Sequence, residues 1–201
     1  MSPFTDLRIL IPALAGAVGA LALRSLLKLI GKQWASTVPI AKYICAEASM
    51  GPGYFQHGWG AVATDDRGKR VWSYTKAQIG LKEHTLYGPY VNDFGRPGFF
   101  RVRFRLSGQG FDKSEKSVVV LDVIQAPFDL QRDHVVIGQR IIRSKELSPR
   151  YKNFDIICYT SGVGVYEYRA SVVWEVFSEA ENKIYFDSVR VYRYFPLWDI
   201  L

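Results

Sequence analysis

Ile9 to Leu23 (ILIPALAGAVGALAL) is an unbroken apolar run, and nothing later in the chain resembles it. Fifteen helical residues at ~1.5 Å each cover only about 22 Å, less than the ~30 Å hydrocarbon core of a bilayer. Carried on through SLLKLI to Ile30, the helix reaches roughly 33 Å and suffices. Arg24 and Lys28 then lie four apart on one face, near enough to the end to reach the headgroups. Pro12 falls in the first turn, where a missing N–H costs little. The sequence therefore predicts a single membrane anchor over residues 1–31, with Ile9, Leu10, Leu21, Leu23, Leu26, Leu27 and Ile30 facing lipid. Two alternatives stand beside it: a cleaved signal peptide ending near Ala20-Leu21-Ala22, and a helix lying in the interface.

Arg24, Lys28 and Lys32 follow the run, whereas Arg8 and the N-terminal amine, offset by Asp6, precede it. Positive-inside counting leans toward a cytoplasmic C-terminal domain at a bacterial-type inner membrane. Residues 32–42 form a linker with Trp34 placed for the interface. Residues 43–195 suit one domain with its own core, and 196–201 form an apolar tail. That domain is aromatic-rich; the chain holds 12 Tyr, 12 Phe and 5 Trp. Its apolar residues recur with the period of strands, and no helical period follows the anchor.

Strands are expected at Tyr43–Ala48, Leu86–Val91, Gly98–Leu106, Val118–Ile124, Val135–Arg143, Phe154–Tyr159, Val165–Phe177 and Lys183–Tyr194. Turn signals separate them, such as Arg96-Pro97-Gly98 and Ser107-Gly108-Gln109-Gly110. In FFRVRFRL, Arg101, Arg103 and Arg105 share one face, with Val102, Phe104 and Leu106 on the other. The arginines are read either as a solvated face paired with acids such as Glu167 or Glu175, or as a dock for an acidic partner or headgroups. The predicted class is all-β, an antiparallel jelly-roll β-sandwich behind one transmembrane helix.

A net charge of +7 suits an anionic surface or acidic partner. No nucleic-acid motif accompanies it. His57, His84 and His134 lack metal or triad spacing, and no G-x-S-x-G elbow occurs, so the chain is read as non-catalytic. Cys45 and Cys158 form no metal or CxxC motif, and pair only if their strands are neighbours.

Several stretches together resemble the carbohydrate-binding-module type of jelly roll, the galactose-binding-like group. They are ICAEAS at Ile44–Ser49, LYGPYV at Leu86–Val91, RPGFFRVRFRL at Arg96–Leu106, VVVLDV at Val118–Val123, YRASVVWEV, and FDSVRV at Phe186–Val191. The resemblance implies an aromatic sugar platform, for which Tyr54, Phe55, Trp59, Trp72 and Tyr74 are the candidates. It also implies a structural calcium between Glu47 and Asp187; the alternative is two carboxylates paired with arginine or capping turns. No other cofactor is expected. Two functions remain. One is an accessory or scaffolding subunit of a membrane complex (photosynthetic, respiratory, secretory or polysaccharide synthase), touching integral-membrane subunits through the arginines and the Trp198 tail. The other is a membrane-tethered carbohydrate-binding module with a glycan as partner.

Overall fold

The computed structural model describes residues 19, 21–26, 39–47, 55–75, 85–92, 94–126, 134–162, 164–173 and 181–194. They fall into two units. In the first, residues 21–26 are helical, with Leu21, Leu23 and Leu26 exposed. Among the described residues no helix is long and apolar enough to cross a membrane. Ile9, Leu10, Leu27, Ile30, Trp34, Tyr54 and Trp198 lie outside the described residues.

The second unit, Pro39–Tyr194, is an antiparallel β-sandwich. Its strands are β1 (Ala41–Ile44), β2 (Gln56–His57), β3 (Ala61–Thr64), β4 (Arg70–Thr75), β5 (Leu86–Tyr87) and β6 (Gly98–Gln109). They continue with β7 (Ser117–Ala126), β8 (Val135–Arg143), β9 (Lys152–Thr160), β10 (Val165–Val172) and β11 (Lys183–Tyr194). One sheet runs β3-β4-β11-β6-β9, with β1 also on β11; the other runs β2-β5-β10-β7-β8. From β5 onward the chain changes sheet at almost every connection, which binds the two layers covalently as well as by packing.

Alternation explains the packing. On β6, Phe100, Val102, Phe104 and Leu106 are fully buried, whereas Arg101, Arg103 and Arg105 stay half-exposed. On β10, Tyr166, Tyr168 and Ala170 face the same core from the opposite sheet. Phe94 meets Phe100 and Tyr166 edge-on, with ring centroids 4.3 and 4.1 Å away, in the arrangement the ring quadrupoles favour. Several expectations need correction. Between β1 and β5, an early stretch where no strand was expected, the chain forms three, β2 to β4. β6 continues through Ser107 and Gly108 to Gln109, so the turn begins at Gly110, whose φ of +78° favours glycine. Glu167 is not an acid of the arginine face. It lies on the other sheet, where it accepts a 2.6 Å hydrogen bond from Arg169. Cys45 and Cys158, for which the sequence left pairing open, are free, buried thiols.

β8 and β9 are the edges where the sheets meet, and Gly138 on β8 permits the approach. A Cβ there would lie 2.6 Å from Ile156 Cγ2 and 3.2 Å from Cys158 Cβ. Gly138→Val is therefore expected to destabilise the unit by about 2 kcal/mol through overpacking. The urea midpoint checks this; an unchanged midpoint would show that the edge yields.

Candidate binding face

The long early stretch folds in on itself. Phe55, Trp72 and Tyr74 are buried members of the core, and Trp59 packs partly buried against it. Trp72 Nε1 donates to the Trp59 carbonyl at 2.9 Å, and His57 stacks on Trp72 with centroids 3.5 Å apart. His57 Nε2 lies 2.7 Å from the Cys45 carbonyl, which only accepts, so this nitrogen carries the proton. Burial pushes the ring's pKa down and favours the neutral form. Gly60, with φ +109°, makes room, because a Cβ there would sit 2.6 Å from Trp72 Nε1. Four of the proposed platform rings thus pack inward; Tyr54 lies outside the described residues.

Asp187 is a bulge residue on β11, between Phe186, paired with Leu106, and Ser188, paired with Arg105. The bulge sits where β11's other edge passes from β4 to β1. Its buried carboxylate is held by Lys69 Nζ through Oδ1 and by Arg105 Nε through Oδ2 at 3.4 Å. Glu47 is exposed. Two cations already occupy both oxygens, so the Glu47–Asp187 pair does not fit a calcium ion, which wants about six oxygen ligands. Among the described residues no group of three or more His, Cys, Asp or Glu is placed to hold a metal.

The outer face of the β6 sheet carries the exposed chemistry. Arg101 lies over Tyr194 at 5.0 Å, Arg103 over Tyr192 at 5.4 Å, and Arg105 over Tyr151 at 5.5 Å. Stacking on the ring fixes each guanidinium plane. Asp155 on β9 accepts from Arg103 Nε and Nη2 at 2.7 and 2.8 Å, and lies 3.8 Å from Arg101 Nε. Among the described residues the arginines' partners are Asp155 and Asp187 and not Glu167; Glu175 lies outside the described residues. At one end of this face Phe99 and Tyr159 form an edge-on pair, centroids 5.1 Å apart and both exposed, with exposed Ile157 also on β9. At the other end lies a pocket of about 330 Å³ lined by Asp65, Arg67, Arg105, Ser107, Gln109, Arg150, Tyr151 and Tyr185, among others. The ten residue steps of β6 from Phe99 to Gln109 set the ends about 34 Å apart.

Sequence reasoning missed Phe99, Tyr159 and the pocket. The doublet FF at Phe99–Phe100 was a usable signal, since consecutive strand residues face opposite ways and one of the two had to be outward. The pocket joins β6, β11 and two turns and has no local signature.

In the pocket wall, burial alone would raise the Asp65 carboxyl. The Arg67 side chain and the Lys69 and Arg67 backbone N–H groups outweigh it and pull the pKa down to about 2. Burial pushes the Tyr151 phenol up to about 12, with the Ser107 hydroxyl pulling the other way. The two described histidines are engaged in contacts of their own: His57 as above, and His134, whose Nδ1 accepts from Arg169 at 3.1 Å; His84 lies outside the described residues.

No protein-family model matches the sequence, and a comparison with curated proteins finds no match. The fold does match solved structures. The tandem CBM22-1–CBM22-2 domain of Paenibacillus barcinonensis Xyn10C superposes with a TM-score of 0.51 at 10% identity, covering 79% of this chain and 49% of that one. The C-terminal CBM6 of LamC, a laminarinase from Zobellia galactanivorans, gives 0.45 at 13% identity, covering 76% and 98%. The CBM6cm-2 module of Cellvibrio mixtus lichenase 5A, solved with cellotriose, gives 0.42 at 14% identity, covering 79% and 100%. The described unit therefore has the β-sandwich fold seen in carbohydrate-binding modules.

Two outcomes are expected. The melting temperature should be the same in calcium and in chelator, whereas Asp187→Ala should cost about 2 kcal/mol. That is less than the roughly 3–5 for a fully buried pair, because Lys69 and Arg105 reach solvent. A calcium-dependent rise in melting temperature would overturn the two-cation account. Second, Asp65 has a depressed folded pKa, so its stabilisation is complete above its unfolded value near ~3.9 and is lost as pH falls toward 2. Asp65→Asn should flatten the stability profile between about pH 4 and 2; an unaltered profile would remove Asp65 from the acid response.

Proposed function

We propose that the β-unit is a non-catalytic carbohydrate-binding module, tethered to a membrane by residues 9–30, and that it binds glycan along the outer face of the β6 sheet. The observation that supports this most is the pairing of an exposed aromatic end, Phe99 and Tyr159, with a polar pocket at the far end of the same face. Flat rings suit the apolar face of a pyranose, and the hydroxyl, amide and guanidinium groups beyond suit its hydroxyls. The fold shared with the Xyn10C module is in keeping with the reading, and modules of related fold are described with cellotriose, cellobiose and xylan. The tether rests on the apolar run of the sequence and its flanking charges.

One observation favours a second reading, an accessory subunit of a membrane complex. β8 is an edge strand with Val135, Val136 and Ile141 exposed. Exposed apolar side chains clustered on an edge strand invite another chain.

The test for the first reading is affinity electrophoresis of the full chain in mild detergent through gels holding a panel of plant and bacterial polysaccharides. Retardation by at least one is expected, and Tyr159→Ala should weaken it about tenfold, or ~1.4 kcal/mol. Retardation by none, with stoichiometric co-migration with a membrane complex that Val136→Lys abolishes, would select the second reading. Carbonate extraction tests the tether, which predicts that the protein stays in the membrane pellet.

A further inference from the structure

The register of the β6 sheet sets like charges side by side. Asp155 on β9 pairs with Arg103 on β6, Arg103 with Arg190 on β11, and Arg190 with Lys42 on β1. This is one rank straight across the sheet, with three cations and a single acid at one end. Asp155 is already engaged by Arg103 and shared with Arg101. Like charges directly opposite each other on one face destabilise a sheet. Arg190 adds a second anomaly: its Nε is buried, and among the described residues it has no hydrogen-bond partner. Arg101 Nε is likewise buried without a hydrogen bond. Arg101 and Arg103 are held over Tyr194 and Tyr192, and planar guanidinium forks are the chemistry that recognises carboxylate or sulfate.

From this rank we infer that the module's ligand is an anionic glycan, a polymer bearing uronate carboxylates or sulfate esters, with one acidic group seated over Arg103, Arg190 and Lys42. The inference rests on the glycan-binding reading above and specifies its substrate class. Successive outward residues of a strand lie about 6.8 Å apart. Arg101 and Arg103, one such spacing apart and sharing the single acid Asp155, therefore present an excess of positive charge along the strand direction. The Phe99–Tyr159 pair takes a sugar ring, and the arginine rank reads the acid attached to a neighbouring ring. The repulsion stored in the free sheet is relieved when the anion arrives, so the same residues that weaken the empty face strengthen the complex.

The test compares polygalacturonate, its methyl ester and neutral xylan by isothermal titration with the full chain in detergent at low and at moderate salt. Polygalacturonate should bind, with affinity falling as salt rises. Its methyl ester and xylan should bind at least tenfold more weakly. Arg190→Gln and Lys42→Gln should each weaken polygalacturonate about tenfold. Neither should lower the melting temperature, since each removes a repulsion. A residue that merely held the sheet together would lower it. Equal binding of xylan and polygalacturonate, unaffected by Arg190→Gln and Lys42→Gln, would overturn the charge assignment and leave the module reading standing. Binding of polyglutamate or phosphatidylserine vesicles with no glycan bound would overturn both. Loss of binding accompanied by a lower melting temperature in both variants would make the rank structural and overturn the assignment.

Discussion

The architecture depends on the pairing of β11 with β6. Along one edge β11 pairs with β6 for almost its whole length; along the other it is shared in tandem by β4 and β1. Sharing one edge between two strands leaves a gap at the handover, and the bulge at Asp187 falls there. A bulge re-aims a side chain and sharpens the local twist. Here it delivers a carboxylate to Lys69, just before β4, and to Arg105 on β6. The clamp holds the handover closed with side chains alone. It also commits Arg105, which leaves Arg101 and Arg103 to share the one acid Asp155.

Much of this was legible in the chain. β8 and β11 have the bounds that the apolar alternation gave, and β6 shows the inward and outward faces read from FFRVRFRL. Periodicity survives because each strand is wet on one side and dry on the other. The early stretch was not legible, since β2 and β3 are too short to show a period, and their pairing depends on Trp72 and His57 stacking across a glycine. Ser107-Gly108-Gln109 carries turn composition yet lies in a strand. Gly108 is needed there because Leu147 crosses close above it, at 2.9 Å from where a Cβ would be.

The site was half legible. The arginine ladder could be read from one strand, but its partners could not, because Asp155, Arg190 and Lys42 arrive from three other strands in a register the sequence does not announce. The early aromatics drew attention by density, yet a dense cluster of rings next to glycines is also what a buried corner requires. The exposed pair, Phe99 and Tyr159, comes from strands about sixty residues apart and shows only when β6 and β9 are laid side by side.

The position of β1 has a mechanical consequence. Ala41 pairs with Val191, and Ile40 N–H donates to the Val191 carbonyl, so the chain comes into the sandwich beside the place where it leaves. Hydrogen bonds in an antiparallel pair run across the strands. A load pulling the two flanks of the unit apart would act along those bonds and break them one at a time from the open end, like a zip. β1 would peel away at low force while the β11–β6 ladder stayed whole. Under tension the sandwich therefore yields first at β1, which carries Lys42, and a stretched molecule would lose one cation of its charged rank well before it lost its fold.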